Sequence, residues 1–536
     1  MTQARFCNIA RAAQAHSGLR RVMIPLGIRL LGDQLTPVLA YRRLVVNDRR
    51  DEPSFLLESV EGGQRVGRYS LMGAHPAIEV VATVQRLSIR QRGAPPQTVE
   101  RCDDPLAHIR ELSASMELIV PDEDICKALP NSPWGGWFGW AGYDSVRYAE
   151  PGKLPFAGAP HDDRHLPDVC FGFYDEIVVF DHAETLVHIV RLVGIDEGDD
   201  PAEAYDEACQ ALSHTADALQ VHSKPLQSGQ FDRHSEIDWS RVQSNIERSA
   251  YQNMVSRAKR YIREGDIFQV VLGQRFSRSS VVDPFDVYRA LRAINPSPYM
   301  GYLQGAGCIL VASSPEILCR VERDAPSGKL IVTNRPLAGT RGRGSSRAQD
   351  IALERELLAD QKERAEHIML VDLGRNDVGR VSSPGSVRLP ELMQIERYSH
   401  VMHISSTVQG EIKTPLDSWD ALRAALPVGT ISGAPKIRAM QIIDELESVR
   451  RGPYGGGFGY VGLRGEMDIA LTLRTIVVPF PDSTDEPWTY HVQAAGGIVA
   501  DSNPDAEFEE TVKKASALLH AIEVAERAFG AAPNCT

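Results

Sequence analysis

The chain has 536 residues, 43% hydrophobic and 24% charged, with a formal net charge of -13. That length can bury more than one sizeable core, and the acidic balance excludes a nucleic-acid partner, because phosphate binding needs clustered Lys and Arg. No uninterrupted apolar stretch approaches the ~18 residues of a membrane span, and the N-terminus lacks a signal-type apolar core, which excludes the membrane as well.

Residues 1–32 contain no Asp or Glu but carry Arg5, Arg11, Arg20, Arg21 and Arg29. The composition is compatible with an organelle transit peptide. The segment is poor in Ser, however, so the expectation is a disordered extension on a cytoplasmic protein. The eight cysteines form no CxxC pair and no Cys/His cluster at zinc spacing, as expected of reduced thiols. None sits in the Gly-x-Cys-x-Gly turn that an exposed glutaminase nucleophile would need.

From Tyr41 to about Gln91, short β-rich runs (LVV at 44–46, AIEVVATVQRLSIR at 77–90) are broken by Gly- and Pro-containing turns and predict antiparallel sheet. Residues 201–219 are helical by propensity, and 223–236 are polar and turn-rich. The main boundary falls there, giving an N-terminal domain over 33–222, a linker over 223–240 and a second domain over 241–530. Beyond it, strands and amphipathic helices mix without regular βαβ alternation, which favours an α+β architecture. WGGWFGWAG at 134–142 and YGGGFGYVG at 454–462 share one pattern. Glycines in an aromatic strand suggest bulges or close backbone approach, and the echo fits two related sheets packed together.

A helix over roughly Gln349–Leu370 carries Glu363 and Glu366 at i, i+3. A second, starting near Asn503 with Pro504 in its first turn, carries Glu507, Glu510 and Lys514 on one face, apart from an apolar stripe of Phe508, Val512, Ala515, Leu519 and Ile522. Each pair taken alone reads as a solvated face; together they could hold one hard cation through a carboxylate from each helix. PVGTISGAPKIRAM at 427–440 brings Thr, Ser and Gly to a helix start, where backbone N–H groups can receive an anion or Ser432 can act as a cap. Two further glycine loops, RPLAGTRGRG at 335–344 and QAAGGIVAD at 493–501, lack the spacing of a nucleotide phosphate loop. Anion-binding loops without a nucleotide motif suggest a small carboxylated substrate.

In their order along the chain, GDIFQVVLGQRF (265–276), NPSPYM (295–300), SSPEIL (313–318), PLAGTRGRG (336–344), KERAEHIMLVDLGRND (362–377), VMHISS (401–406), GTISGAPKIRAM (429–440) and EFEETVKKA (507–515) resemble the chorismate-utilising enzymes over about residues 35–525. That family includes anthranilate, aminodeoxychorismate, isochorismate and salicylate synthases. The resemblance implies chorismate as substrate and Mg²⁺ between Glu366 and Glu510, with Glu363 and Glu507 nearby. It implies a substrate pocket of Gly339, Thr340, Tyr454, Arg474, Ala495, Gly496, Gly497 and Lys514. It makes Glu316 the acid that protonates the departing C4 hydroxyl, with His403 and Thr430 at the ring when pyruvate is eliminated.

Water-using relatives carry a lysine base where Gln269 stands here, so the site is expected to favour ammonia. Ala338 occupies the position of the lysine typical of aminodeoxychorismate synthases, which favours the anthranilate-forming reaction. Aminodeoxychorismate formation and a catalytically silent tryptophan-binding subunit are the rival readings. With no glutaminase nucleophile in the chain, ammonia is expected from a separate glutamine amidotransferase subunit in a hetero-oligomer. Feedback inhibition by L-tryptophan is expected at Ser59, Pro298, Tyr299 and Met300. Gly301, in place of an aromatic, and Ala495, in place of a glycine, depart from the family pattern, as does the short loop after TRGRG.

Overall fold

Strands whose residues are apolar on one face must bury that face against another layer. This chain does so with two large sheets packed together and helices covering the outside. The computed structural model describes all residues except 16–19, 46–51, 60–66, 222–225, 233, 398–400, 484–485 and 531–536. Among them the sheets have thirteen and twelve strands. All ladders are antiparallel except the one joining Arg21–Leu31 to Met116–Leu118. The architecture is α+β, as the sequence predicts.

Each sheet is assembled from both ends of the chain. In the first, Tyr299–Gly305 pairs with Ser54–Glu58, joining strands that follow residue 241 to strands that precede residue 222. In the second, the two glycine-rich aromatic strands are direct neighbours: Gly457–Gly462 pairs with Gly136–Ala141, with Gly459 opposite Gly139. Both sheets therefore run through the boundary read at 223–240. Residues 223–225 and 233 of that linker lie outside the described residues.

Between the sheets, Phe55, Trp137, Phe138, Leu303 and Phe458 form part of one continuous core. The outer face of the first sheet packs on Pro201–Gln220, Pro284–Ile294 and Pro504–Phe529. The last helix begins as predicted, with the Asn503 side chain accepting from the Asp505 and Ala506 N–H groups. Ala515, Leu519 and Ile522 are buried and Phe508 and Val512 partly so.

Three expectations are corrected. Residues 1–32 are not a loose extension: Gln3–Gln14 is a helix that buries Phe6 and Ala10 against Pro201–Gln220, and Arg21–Leu31 pairs along its length with Leu186–Ile195. Apolar spacing, masked in the composition by the arginines, decides the outcome. The LVV run does not make a strand, because Thr36 caps a helix, Pro37–Leu44, with its hydroxyl accepting from Leu39 N–H; Val46 lies outside the described residues. The single helix expected over 349–370 is two, Arg347–Ala359 and Gln361–Val381. The carboxylate of Asp360 accepts from the N–H groups of Lys362 and Glu363 and starts the second.

The paired glycine strands have no room for a side chain. A Cβ on Gly139 would fall on the Cys170 carbonyl, and one on Gly459, where φ is +151°, on the Asp468 carbonyl. Gly139→Ala and Gly459→Ala should each cost about 3 kcal/mol. Urea unfolding would measure this; an unchanged midpoint in either variant would show that the sheets yield at this junction without cost.

Candidate active site

Two of the points at which the chain crosses between the sheets are adjacent, and a candidate site residue stands at each. Glu316 lies between Cys308–Ser314 in the first sheet and Ile317–Arg323 in the second. Arg474 lies between Met467–Leu471 in the second and Thr475–Pro479 in the first, with a φ of +46°. The crossings are bonded to each other: Ser313 N–H donates to Arg474 O (3.0 Å) and Leu471 N–H to Glu316 O (2.9 Å).

Glu316 is buried, and burial pushes its carboxyl up to about 8 despite the Thr430 hydroxyl, which donates to Oε1 at 3.3 Å. It therefore holds a proton at neutral pH and can act as an acid. Thr430 comes from a single turn, Gly429–Ser432. Ser432 does not cap the helix that follows; its hydroxyl donates back to Val428 O. His403, on Val401–Glu411, has Nδ1 3.0 Å from Thr340 Oγ1 and 3.2 Å from Gly339 O. Burial keeps its imidazole below the usual range, and the nearby charge of Arg474 adds to this. The neutral ring can then accept a proton near pH 7.

Gln269, at the start of Gln269–Ser280, donates to Glu366 Oε1 at 3.2 Å, while its own Oε1 is buried with no partner among the described residues. Opposite runs Trp488–Ile498, with Val271 facing Gly497, Leu272 facing Gly496 and Gly273 facing Ala495. A Cβ on Gly496 would stand 3.0 Å from Glu507 Oε2, and one on Gly497 would stand 4.0 Å from Glu366 Oε1. The bare strand thus lies between carboxylates of two helices. Burial raises the carboxyls of both Glu366 and Glu507, with contributions from the neighbouring charges of Glu363 and Glu510 respectively.

The remaining carboxylates are already compensated: Arg341 donates to Glu363 (3.2 Å) and Lys514 pairs with Glu510 (2.7 Å). Lys514 also donates to Ala495 O at 2.9 Å. Tyr454 is buried, and its hydroxyl meets the Ala495 backbone N–H, so the alanine departure leaves both main-chain groups of that residue engaged. Among the described residues, no three His, Cys, Asp or Glu side chains gather at one point that could hold a metal by themselves. Glu366 and Glu507, half-buried and reaching the bare strand from two helices, with Glu363 and Glu510 one turn away on each, make a carboxylate set that fits a hard cation completing its shell with substrate and water oxygens.

A separate cavity of about 290 Å³ holds all four residues expected to bind an inhibitor, Ser59, Pro298, Tyr299 and Met300, together with Phe458, Tyr460 and Asp468. Ser59 Oγ and Asp468 Oδ1 are buried there without a hydrogen-bond partner among the described residues. The Gly301 departure has a physical reason: a Cβ there would stand 2.8 Å from the Phe458 ring, which occupies that space.

Three residues at the site escaped the sequence reading. His367, next to Glu366, is buried with Nε2 2.6 Å from Ser406 Oγ, which ties the carboxylate helix to the His403 strand. Arg451 and Glu447 form a buried ion pair behind the Thr430 turn. Opposite charges at i, i+4 ordinarily mark a solvated face, so nothing in the sequence set this pair apart. All described cysteines are free.

A family model described as chorismate binding enzyme matches residues 52–520. The anthranilate synthase alpha subunit 1, chloroplastic, of Oryza sativa subsp. indica is 51% identical over 529 residues, covering 95% of this chain and 89% of that protein. The alpha subunit 2, chloroplastic, of Arabidopsis thaliana is 49% identical, covering 96% and 84%. The crystal structure of anthranilate synthase component I from Streptococcus pneumoniae TIGR4 superposes with a TM-score of 0.69 at 34% identity, covering 91% of this chain and 98% of that one. The two plant names overturn the cytoplasmic location expected from the sequence and point to an organelle. No helix of the described residues is long and apolar enough to cross a membrane.

An activity that uses the Glu316 proton should be full below about pH 8 and fall about tenfold per unit above it, once rates are corrected for the ionisation of the other reactant. Glu316→Gln should lower turnover by about 10²- to 10⁴-fold and remove that alkaline limb. Steady-state pH profiles of both proteins check this.

Proposed function

The chain belongs to the chorismate-binding enzymes, among the anthranilate synthase large subunits, and we propose that it aminates chorismate at C2, expels the C4 hydroxyl as water and then eliminates pyruvate to leave anthranilate. The observation that carries this reading is the buried Glu316, its carboxyl pushed up to about 8, held beside Thr430 at the crossing between the sheets.

In the first step ammonia forms the new C–N bond at C2 as the ring double bonds shift, the C4–O bond breaks with the Glu316 proton going to the departing oxygen to make water, and the ammonium nitrogen then releases a proton that restores the acid. The amide of Gln269 has no basic lone pair with which to deprotonate water, which favours a nucleophile that is already neutral. In the second step the C2 proton leaves, the bond from the ring to the enolpyruvyl oxygen breaks, the departing enolate takes a proton on its methylene carbon to become pyruvate, and the ring becomes aromatic. Neutral His403, oriented by Thr340 and Gly339, is the base positioned for this.

Arg474 with Tyr454 and the Gly496–Gly497 backbone would hold the enolpyruvyl carboxylate, since a guanidinium can bond it bidentately. Glu366 and Glu510 would hold Mg²⁺, with Glu363 and Glu507 beside them. Bound there, the cation would neutralise and orient the ring carboxylate. Lys514, bonded to Glu510 and Ala495 O, would add positive charge at the same end of the substrate. Chain and relatives alike imply a separate glutamine amidotransferase as the source of ammonia. Ala338, which offers no amine to the ring, disfavours the aminodeoxychorismate alternative.

We propose further that L-tryptophan inhibits from the second cavity. Pro298, Tyr299, Met300 and Phe458 offer apolar walls to an indole, and the free oxygens of Asp468 and Ser59 suit its ammonium group.

Purified chain with chorismate, Mg²⁺ and ammonium should release anthranilate and pyruvate together, followed by anthranilate fluorescence and a pyruvate assay. Amination without pyruvate would overturn the reading in favour of aminodeoxychorismate formation, and no turnover in favour of a regulatory subunit. Tryptophan should suppress both products, and Ser59→Leu, which narrows the cavity, should raise the concentration giving half inhibition by at least about tenfold, the equivalent of ~1.4 kcal/mol. An unchanged inhibition curve would remove tryptophan from this cavity.

A further inference from the structure

One buried ion pair, outside the residues read as holding substrate, is bonded to the main chain of the segments that carry the reacting groups. The side chains of Arg451 and Glu447 are 1% and 5% exposed. Arg451 bonds Glu447 through Nε (2.9 Å) and Nη2 (2.6 Å) and sends its remaining hydrogen bonds to two carbonyls, Ile431 O (2.8 Å) and Val271 O (2.7 Å). Glu447 Oε1 accepts from Gly273 N–H at 2.8 Å. The guanidinium carbon stands 4.6 Å over the ring of Tyr143.

Each of these contacts adjoins a reacting position. Ile431 follows Thr430, whose hydroxyl bonds Glu316. Val271 and Gly273 lie on the strand that begins at Gln269 and face Gly497 and Ala495 across the ladder. Stability is a poor reason for such a pair, since apolar residues of similar volume usually serve as well in a core. What apolar residues cannot do is hold two specific carbonyls and one specific N–H at fixed separation.

We propose that Arg451 and Glu447 are a positioning pair for the reaction, fixing the Thr430 turn against the Gln269 strand so that the acid and the nucleophile's side of the pocket keep one separation. The proposal rests on the reading of Glu316 and Thr430 as reacting groups.

The test compares wild type with Arg451→Met, Arg451→Lys, Glu447→Gln and Glu316→Gln, each measured for thermal unfolding and for kcat and KM against pH with chorismate, Mg²⁺ and ammonium. A positioning pair predicts folded Arg451→Met and Glu447→Gln proteins with kcat down about 100-fold, the scale of a small misplacement of reacting groups. KM should change far less. The alkaline limb should move to higher pH, because a loosened Thr430 no longer favours the Glu316 carboxylate. Arg451→Lys, which can keep one of the carbonyl bonds, should recover part of kcat. If Arg451→Met does not fold, Glu447→Gln and Arg451→Lys carry the same comparison. Wild-type kcat in a folded variant would overturn the proposal. So would a loss no larger than the unfolded fraction, with the alkaline limb in place and no recovery in Arg451→Lys. Wild-type turnover by Glu316→Gln would instead remove the reading of the acid and leave the pair to be judged on the split between kcat and KM.

Discussion

The site depends on two backbone hydrogen bonds between neighbouring crossings. Where the chain leaves one sheet for the other, the Ser313 and Leu471 N–H groups are given to the carbonyls of Arg474 and Glu316. A strand that changes sheets must turn its backbone out of both ladders, and its polar groups need new partners. Here each crossing satisfies the other. The consequence is that a glutamate and an arginine, distant in sequence, stand at adjacent crossings at the seam between the sheets, where burial pushes the Glu316 carboxyl up to about 8.

Around that seam the charges follow a consistent logic. The protein as a whole is acidic, yet the proposed site must receive a dicarboxylate, with incompletely neutralised carboxylates and Lys514 together on one side and Arg474 at the sheet crossing. Glu366 and Glu507 reach the strand from two helices because the strand carries bare glycines between them. The same economy of space governs the second cavity, where Phe458 stands over Gly301 and closes the wall between the sheets.

Much of this was legible in the sequence because local chemistry and global fold agree. The C-terminal helix begins at its Asn503–Pro504 signal; the twin glycine motifs, read as a mark of two related sheets, are instead neighbours in one, at the close backbone approach their glycines suggested. The carboxylate pairs could be found but not interpreted from spacing alone, since the same pattern describes a solvated surface; only the resemblance to a family separated the two. Where the reading failed, a single residue outvoted the trend. Asp360 split a continuous helical pattern by capping it, Thr36 turned a β-rich run into a helix, and Phe6 with Ala10 anchored a segment read from its composition as a disordered extension. The Arg451–Glu447 pair was invisible because burial, which gives it its meaning, is a property of the fold.

The sharing of both sheets between the two ends of the chain has a consequence for how the molecule comes into being. A ribosome releases the first two hundred residues with Ser54–Glu58 and Gly136–Ala141 each lacking one of the two neighbours they have in the finished protein. Neither half can be completed on its own, so loop-closure entropy must be met over very long separations before the ladders reward it. Folding should be slow and largely post-translational, with two open strand edges in need of shelter while the second half is made.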